Sequence, residues 1–466
     1  MLPISYSWKA ARKALDNSII YYRGQPVGTI AALDSSLGEL NYSHCFVRDF
    51  AVSALAFLTE GETEIVRHFL TEVLHLQSRQ KRMDCFQAGR GVMPASFKVE
   101  TLLGTEELTA DFGEHAIARV TPVDSVFWWL LILRAYVRAT GHLSFAQQPE
   151  VQQGIRLILD LCLTTRFDLF PTLFVPDGSF TIDRRMGVDG HPLDIQVLFA
   201  VALQTSQEFL LPTPENAVYR QAVRDRLGHL VYHLRQYYWL DRHRLNEIYR
   251  YRVEEFGETA VNKFNIYPET IPDWLTDWLR EGNGYFVGNL GSGRIDYRFF
   301  TQGNLLAVLT AVATEQQSEA IMNTIEHHWS ELIADMPMKL CFPALEAQEW
   351  QIVTGSDPKN SPWSYHNGGS WPFLLWLLAA AAQKTGRVSL AQQALAIAET
   401  RLLEDQWPEY YDGKHGSLIG KQARLFQTWT IAGALAARNF LDNPNHLALI
   451  NHDRAIAVSS CSLPVK

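Results

Sequence analysis

Carboxylates set among aromatic and glycine-rich residues are the groups of this chain best suited to chemistry. Ser179–Gln196 reads SFTIDRRMGVDGHPLDIQ. In it Asp183 is followed by Arg184 and Arg185, then by a glycine-flanked turn carrying Asp189 and His191. Asp405–Arg424 reads DQWPEYYDGKHGSLIGKQAR and puts Glu409 and Asp412 among Trp407, Tyr410 and Tyr411. Aromatic walls desolvate a carboxyl group and raise its pKa, while neighbouring cations lower it. Two carboxyl groups held in different surroundings can divide the work of a general acid and a general base. The bland alternatives are a structural ion pair at Asp183 and a surface Pro-Glu turn at Glu409. Asp49 follows His44 and Arg48 in YSHCFVRDF, and Asp124 follows Pro122 in TPVDSVFWW. Each begins an apolar helix, where an Asp either serves the helix dipole or accepts hydrogen bonds from sugar hydroxyls. Thr301 and Gln302 in FFTQGN, and Trp363, His366, Asn367 and Trp371 in PWSYHNGGSWP, add donors and stacking rings.

Other motifs fail. Gly416–Lys421 (GSLIGK) has one residue too few between its glycines for a phosphate loop, and Gln422 stands where Ser or Thr is needed. Gly288–Gly293 (GNLGSG) has the wrong glycine spacing for a dinucleotide site. There is no HExxH and no Gly-x-Ser-x-Gly elbow. His327 and His328 sit on an amphipathic helix and read as surface residues rather than metal ligands. The five cysteines are scattered without a CxxC, which fits a reduced compartment and no structural zinc. No metal and no cofactor is expected.

These groups need a scaffold. The 466 residues carry 41 Lys and Arg against 50 Asp and Glu, a net charge of −9, so a nucleic-acid partner is not expected. No apolar run approaches the roughly 20 residues that span a bilayer. The first residues, with Lys9, Arg12 and Lys13, have no signal-peptide core, so a cytoplasmic protein is expected. Tyr, Trp and Phe make up 12% of the chain, and many stand beside Gly, Pro, Asp, Arg or His. Such placement suits the apolar faces and hydroxyl edges of sugar rings.

Helical periodicity dominates. Six stretches, beginning near Phe46, Pro122, Leu193, Thr301, Ser370 and Gln422, are apolar almost all round and must be covered on every side. Six others, Trp8–Tyr22, Thr63–Gln77, Val151–Thr164, Ala217–Tyr238, Ser318–Met336 and Ser389–Leu403, are apolar on one stripe only. The two kinds alternate. Links from a buried helix to the next amphipathic one are short. Links in the other direction are long: Gly24–Cys45, Lys81–Thr121, Phe167–Pro192, Asp241–Phe300, Pro337–Gly369 and Asp405–Lys421. This order predicts an all-α fold, an (α/α)6 barrel of six inner and six outer helices with almost no strand. All six long loops then lie on one face, and loops of that length are commonly functional. A single catalytic domain over 1–466 is expected, with a loosely held tail from about 443 to 466.

Several segments in order along the chain resemble one family: YSHCFVRDF, TPVDSVFWW, SFTIDRRMG…GHPLDIQ, FFTQGN, PKNSPWSYHNGGSWP and QWPEYYDGKHG…ARLFQTWT. Together they are similar to the neutral/alkaline invertases of glycoside hydrolase family 100, the cyanobacterial type more than the plant type. The resemblance implies an intracellular, metal-free sucrose hydrolase that attacks the glucosyl carbon with inversion. It implies Asp183 as general acid and Glu409 as general base. Arg48, Asp49, Asp124 and His366 are carried over as substrate-pocket residues, and Arg185, Gln302, Trp371, Tyr410 and Arg424 in the same motifs join them as substrate-binding candidates. A homo-oligomer is also expected. Where relatives show an aromatic residue and a Glu after the acid, this chain has Asp189 and Asp194. Asp189 is the rival candidate for the acid.

An inverting pair needs its carboxyl groups about 6.5–9.5 Å apart, to leave room for water. Asp183 must also hold a proton beside two arginines, so at least one guanidinium is expected to point elsewhere. A trehalase-like glycosidase on the same barrel, or a non-catalytic sugar-binding protein, would share most of these features.

Overall fold

The structure is a computed structural model, described over residues 4–34, 41–79, 89–114, 121–163, 171–175, 178–182, 184–246, 271–291, 294–419, 423–452, 456 and 458. In chain order the barrel helices are α1 (Ile4–Asn17), α2 (Val47–Thr59), α3 (Glu64–His75), α4 (Ser125–Thr140), α5 (Pro149–Cys162) and α6 (Leu193–Phe209). They continue with α7 (Ala217–His233), α8 (Thr301–Leu309), α9 (Glu315–His327), α10 (Leu375–Lys384), α11 (Val388–Leu402) and α12 (Thr428–Asp442).

The apolar helices close a ring. Helix α2 packs on α4, α4 on α6, α6 on α8, α8 on α10, α10 on α12, and α12 back on α2. The one-sided helices lie outside it: α1 against α12, α3 against α2 and α4, α7 on α6, α9 on α8, and α11 on α10 and α12. Helix α5 packs on α3. This is the expected (α/α)6 barrel. Its driving force is visible in α4, where every residue from Ser125 to Val137 is buried. A helix buried all round has no alternative to neighbours on all sides. Close approach between inner helices depends on glycine at one position. A methyl group on Gly303 of α8 would lie 2.8 Å from Leu193 Cγ and 3.0 Å from Asp194 Oδ1 of α6.

Helix ends follow local chemistry. Thr314 and Gln317 form a reciprocal cap at the start of α9. Gly141, at φ 73°, ends α4 in the left-handed conformation. Several boundaries differ from expectation; the helix expected over Ser318–Met336, for example, ends at His327. The helix predicted over Trp8–Tyr22 stops at Asn17, and Ile19–Tyr22 pairs instead with Gln25–Thr29 through an Arg23–Gly24 turn of positive φ. Two isoleucines and two tyrosines favour a strand, and Gly24 makes the tight turn easy. The last inner helix begins at Thr428, not near Gln422, and α10 is preceded by a 3-10 turn, Pro372–Leu374.

The near-absence of strands is also corrected. Three antiparallel sheets occur among the described residues. One pairs Cys45–Phe46 with Ser96–Leu102, which pairs with Thr105–Asp111. The largest is built on Gly284–Gly291 and Arg294–Phe300. All the strands fall in segments that run from an outer helix to the next inner one, so they shape the rim above the inner N-termini. Within the expected tail, Pro444–Leu449 forms a 3-10 turn against α4, α10 and α12. Arg134 donates to the carbonyls of Leu449 (3.4 Å) and Asn451 (3.0 Å) there. No described helix is long and apolar enough to cross a membrane.

Candidate active site

The N-termini of α2 and α4 place two of the predicted carboxylates. Arg48 and Asp124, 76 residues apart, form a bidentate pair: Nε to Oδ2 at 2.5 Å and Nη2 to Oδ1 at 3.0 Å. Asp124 is fully buried and also accepts from Trp128 Nε1 at 3.1 Å. Its charge is therefore balanced, as a buried carboxylate requires. Asp49, one residue along α2, has no such partner among the described residues. Burial pushes its carboxyl up to about 7; the Arg48 guanidinium pulls it back, while the Glu409 and Asp124 carboxylates push further.

Glu409 lies across from these helices, on a rim segment fixed by main-chain bonds. Its N–H donates to Arg424 O (2.7 Å), and Tyr411 and Ser370 exchange hydrogen bonds of 2.8 and 3.0 Å. Around it, Trp363, Tyr365, Gln406, Trp407 and Phe426 all have positive φ between 47° and 65°. Such backbone costs on the order of 1–3 kcal/mol per residue and persists only when its surroundings over-determine it. Here Gly413 N bonds Trp363 O, Gly369 N bonds Tyr365 O, Phe426 N bonds Gln406 O and Gln427 N bonds Trp407 O. The Glu409 carboxyl is 6% exposed. Tyr42 Oη donates to its Oε1 at 3.4 Å, whereas Oε2 is buried without a hydrogen-bond partner among the described residues.

An aromatic wall backs this carboxylate. Trp371 stacks on Tyr410 (centroids 5.2 Å apart, 20°) and meets Trp429 edge-on at 5.6 Å. Tyr365 stacks on His366 at 3.8 Å and meets Tyr410 edge-on at 5.3 Å. Trp371 and Tyr410 are almost wholly buried, so they act as backing rather than as open faces. Trp371 Nε1 donates to Tyr365 O at 2.9 Å. Arg424 lies over the Tyr42 ring, 4.8 Å from its centroid.

Asp183 lies outside the described residues. Thr181, before it, exchanges hydrogen bonds with Gln302 at the start of α8, at 3.0 and 3.2 Å. Arg185, after it, pairs with Asp357 at 3.5 Å and sits over the Tyr365 ring at 5.5 Å. The rival Asp189 has an exposed side chain, and its carbonyl is held by Asn289 Nδ2 at 2.7 Å.

Two residues read as sugar donors do other work. Asn367 holds the backbone of Leu345 through both ends of its amide, and Thr301 Oγ1 donates to Lys339 O at 2.5 Å. His328, read as a surface residue, is buried and stacks on Trp278 at 3.8 Å. Conversely, Tyr42 and Tyr365 were not singled out, although both stand inside quoted motifs. The usable signal was their place beside Arg48–Asp49 and His366.

The sequence comparisons with known proteins agree on the family. Residues 11–444 match the profile of the alkaline and neutral invertases. Cytosolic invertase 1 of Oryza sativa subsp. japonica is 55% identical over 448 residues, covering 96% of this chain and 79% of the relative. Alkaline/neutral invertase CINV2 of Arabidopsis thaliana is 52% identical over 451 residues, 96% of this chain and 80% of the relative. Among solved structures, a wild-type glycosidase superposes with a TM-score of 0.57 at 14% identity, covering 94% of this chain and 98% of its own. A rhamnosidase from Klebsiella oxytoca with rhamnose bound gives 0.55 at 14%, covering 94% and 64%. At such identities the structures speak for the fold alone. By profile and by identity over nearly its whole length, the chain belongs to the alkaline and neutral invertase family.

Proposed function

We propose that this chain hydrolyses sucrose to glucose and fructose, cleaving on the glucosyl side with inversion. The observation that carries the reading is Glu409: a buried carboxyl with one oxygen open, on an over-determined rim segment, facing Asp49 and the Arg48–Asp124 pair. Glu409 is the base that takes a proton from water as the water attacks the glucosyl carbon. Asp183 is the acid that protonates the departing fructosyl oxygen. Thr181, bonded to Gln302, and Arg185, paired with Asp357 and lying over the Tyr365 ring, flank Asp183 in the chain and support this reading.

The pocket residues have graded roles. Arg48 balances Asp124 and fixes its oxygens for sugar hydroxyls. Asp49, His366 and Arg424 complete the polar lining, while Gln302, Trp371 and Tyr410 hold the lining in place. Cytoplasmic action and a homo-oligomeric state belong to the same proposal. The name of the rice relative supports the first, and fractionation and light scattering test the two.

The test is glucose release at neutral pH from sucrose beside trehalose, maltose and raffinose. Sucrose should be turned over at least about tenfold faster than the others, a difference of roughly 1.4 kcal/mol in transition-state binding. A preference for trehalose or maltose would overturn the substrate. Binding of sucrose without turnover would overturn the enzyme reading. Asp183→Asn and Glu409→Gln should each abolish most turnover while leaving the fold intact.

A further inference from the structure

The two oxygens of Glu409 are unequal, and the inequality identifies a further working residue. Oε1 faces the Tyr42 hydroxyl at 3.4 Å; Oε2 is buried with no partner among the described residues. A buried acceptor left open carries an uncompensated desolvation cost, so it marks a place where a ligand belongs. Tyr42 itself is fixed. It lies in the 3-10 turn Asn41–Ser43, its carbonyl accepts from Ala32 N at 3.1 Å, and Ala32 bridges to Gln427. Arg424 grips both partners: its carbonyl takes the Glu409 N–H, and its guanidinium covers the Tyr42 ring. Burial, and then the Glu409 charge, push the phenol well above its ordinary range, so it remains an O–H donor wherever the enzyme works.

We propose that Tyr42 is the positioning residue of the base, donating to Oε1 so that Oε2 receives the proton of the attacking water. This rests on the reading of Glu409 as base. As the water oxygen bonds to the glucosyl carbon, its proton passes to Oε2. The bond to the fructosyl oxygen breaks, and that oxygen takes the proton of the acid. The 3.4 Å separation is long for O–H···O, and such contacts shorten when substrate and charge arrive. Fixing the carboxylate's rotation makes the open lone pair the productive one.

The test is Tyr42→Phe, which keeps the ring under Arg424. Among the described residues, Tyr42, Asp49, Arg424 and Tyr410 are the titratable or charged groups beside Glu409, and the last three are unchanged in the variant. Losing a donor to a carboxylate raises its pKa. The variant should therefore lose about 10- to 100-fold in kcat on sucrose. KM should change by less than about threefold, and the acid limb of kcat/KM should move upward. 3-Fluorotyrosine at position 42, a stronger donor, should move that limb downward, and this serves if Tyr42→Phe folds poorly. A Tyr42→Phe enzyme with kcat within about twofold of the parent and an unmoved acid limb overturns the proposal. Glu409→Gln, measured alongside, separates the two readings. If it is inactive while Tyr42→Phe behaves like the parent, the base stands and the positioning role falls. If Glu409→Gln turns over normally, the base assignment falls first.

Discussion

Replacing Asp194 with Asn removes a charge that the barrel holds at a cost. Asp194 opens α6, is 1% exposed, and has neither oxygen in a hydrogen bond of good geometry. Burial pushes its carboxyl up to about 7. The Gly303 and Asp194 N–H groups and the Gln302 side chain pull it down, and the Asp124 carboxylate pushes it further up. In the unfolded chain the same group titrates near 3.8. Between those values the folded protein holds more protons than the unfolded one, so stability falls as pH rises from about 4 to about 7 and is level above. At about 1.36 kcal/mol per pH unit the full penalty is about 4 kcal/mol, of which about 3 kcal/mol develops between pH 5 and pH 8. Unfolding entropy of roughly 2.1 cal/mol/K per residue over a chain of this length turns 3 kcal/mol into about 3 °C. Thermal melts of the parent and of Asp194→Asn at the two pH values read this directly. The parent should lose about 3 °C more than the variant on going from pH 5 to pH 8. Asp49, pushed up in the same direction, is common to both proteins and cancels. Profiles parallel to within about 1 °C would refute the account of Asp194.

Arg48→Ala leaves Asp124, fully buried, with only the Trp128 N–H as a side-chain partner among the described residues. Breaking such a pair costs about 3 kcal/mol, a fall of about 3 °C, and adding Asp124→Asn should recover more than half of it in a double-mutant melt. Trp371→Phe keeps most of the stack on Tyr410 but leaves Tyr365 O without its indole donor. A loss of about 1–2 kcal/mol is expected, against about 3–5 kcal/mol for Trp371→Ala, both read by denaturant titration.

The ring of helices could be read from the sequence because its physics is local. A helix such as Ser125–Thr140, apolar on all sides, cannot survive without neighbours all round, and the alternation with one-sided helices leaves few closures. The strands were hidden because they are two to eight residues long and lie in segments rich in Gly and charge, where cross-strand partners rather than periodicity decide. Ile19–Tyr22 continued a helical pattern until the Arg23–Gly24 turn offered it a partner. The site was legible as a set of residues but not as contacts. Nothing in the chain pairs Arg48 with Asp124, or shows that Asn367 and Thr301 are spent on backbone. Tyr42 was passed over because an aromatic next to Ser and His carries no periodic or charge signal. Its role exists only once Glu409, 367 residues away, is folded beside it.

Proton NMR of the first glucose formed from sucrose reports the face on which water attacks. Attack by a water held at Glu409 on the glucosyl carbon, opposite the departing fructose, yields the β anomer before mutarotation mixes the signals. β-Glucose should therefore appear first. An initial α signal, whether from cleavage on the fructosyl side or from retention, would contradict it.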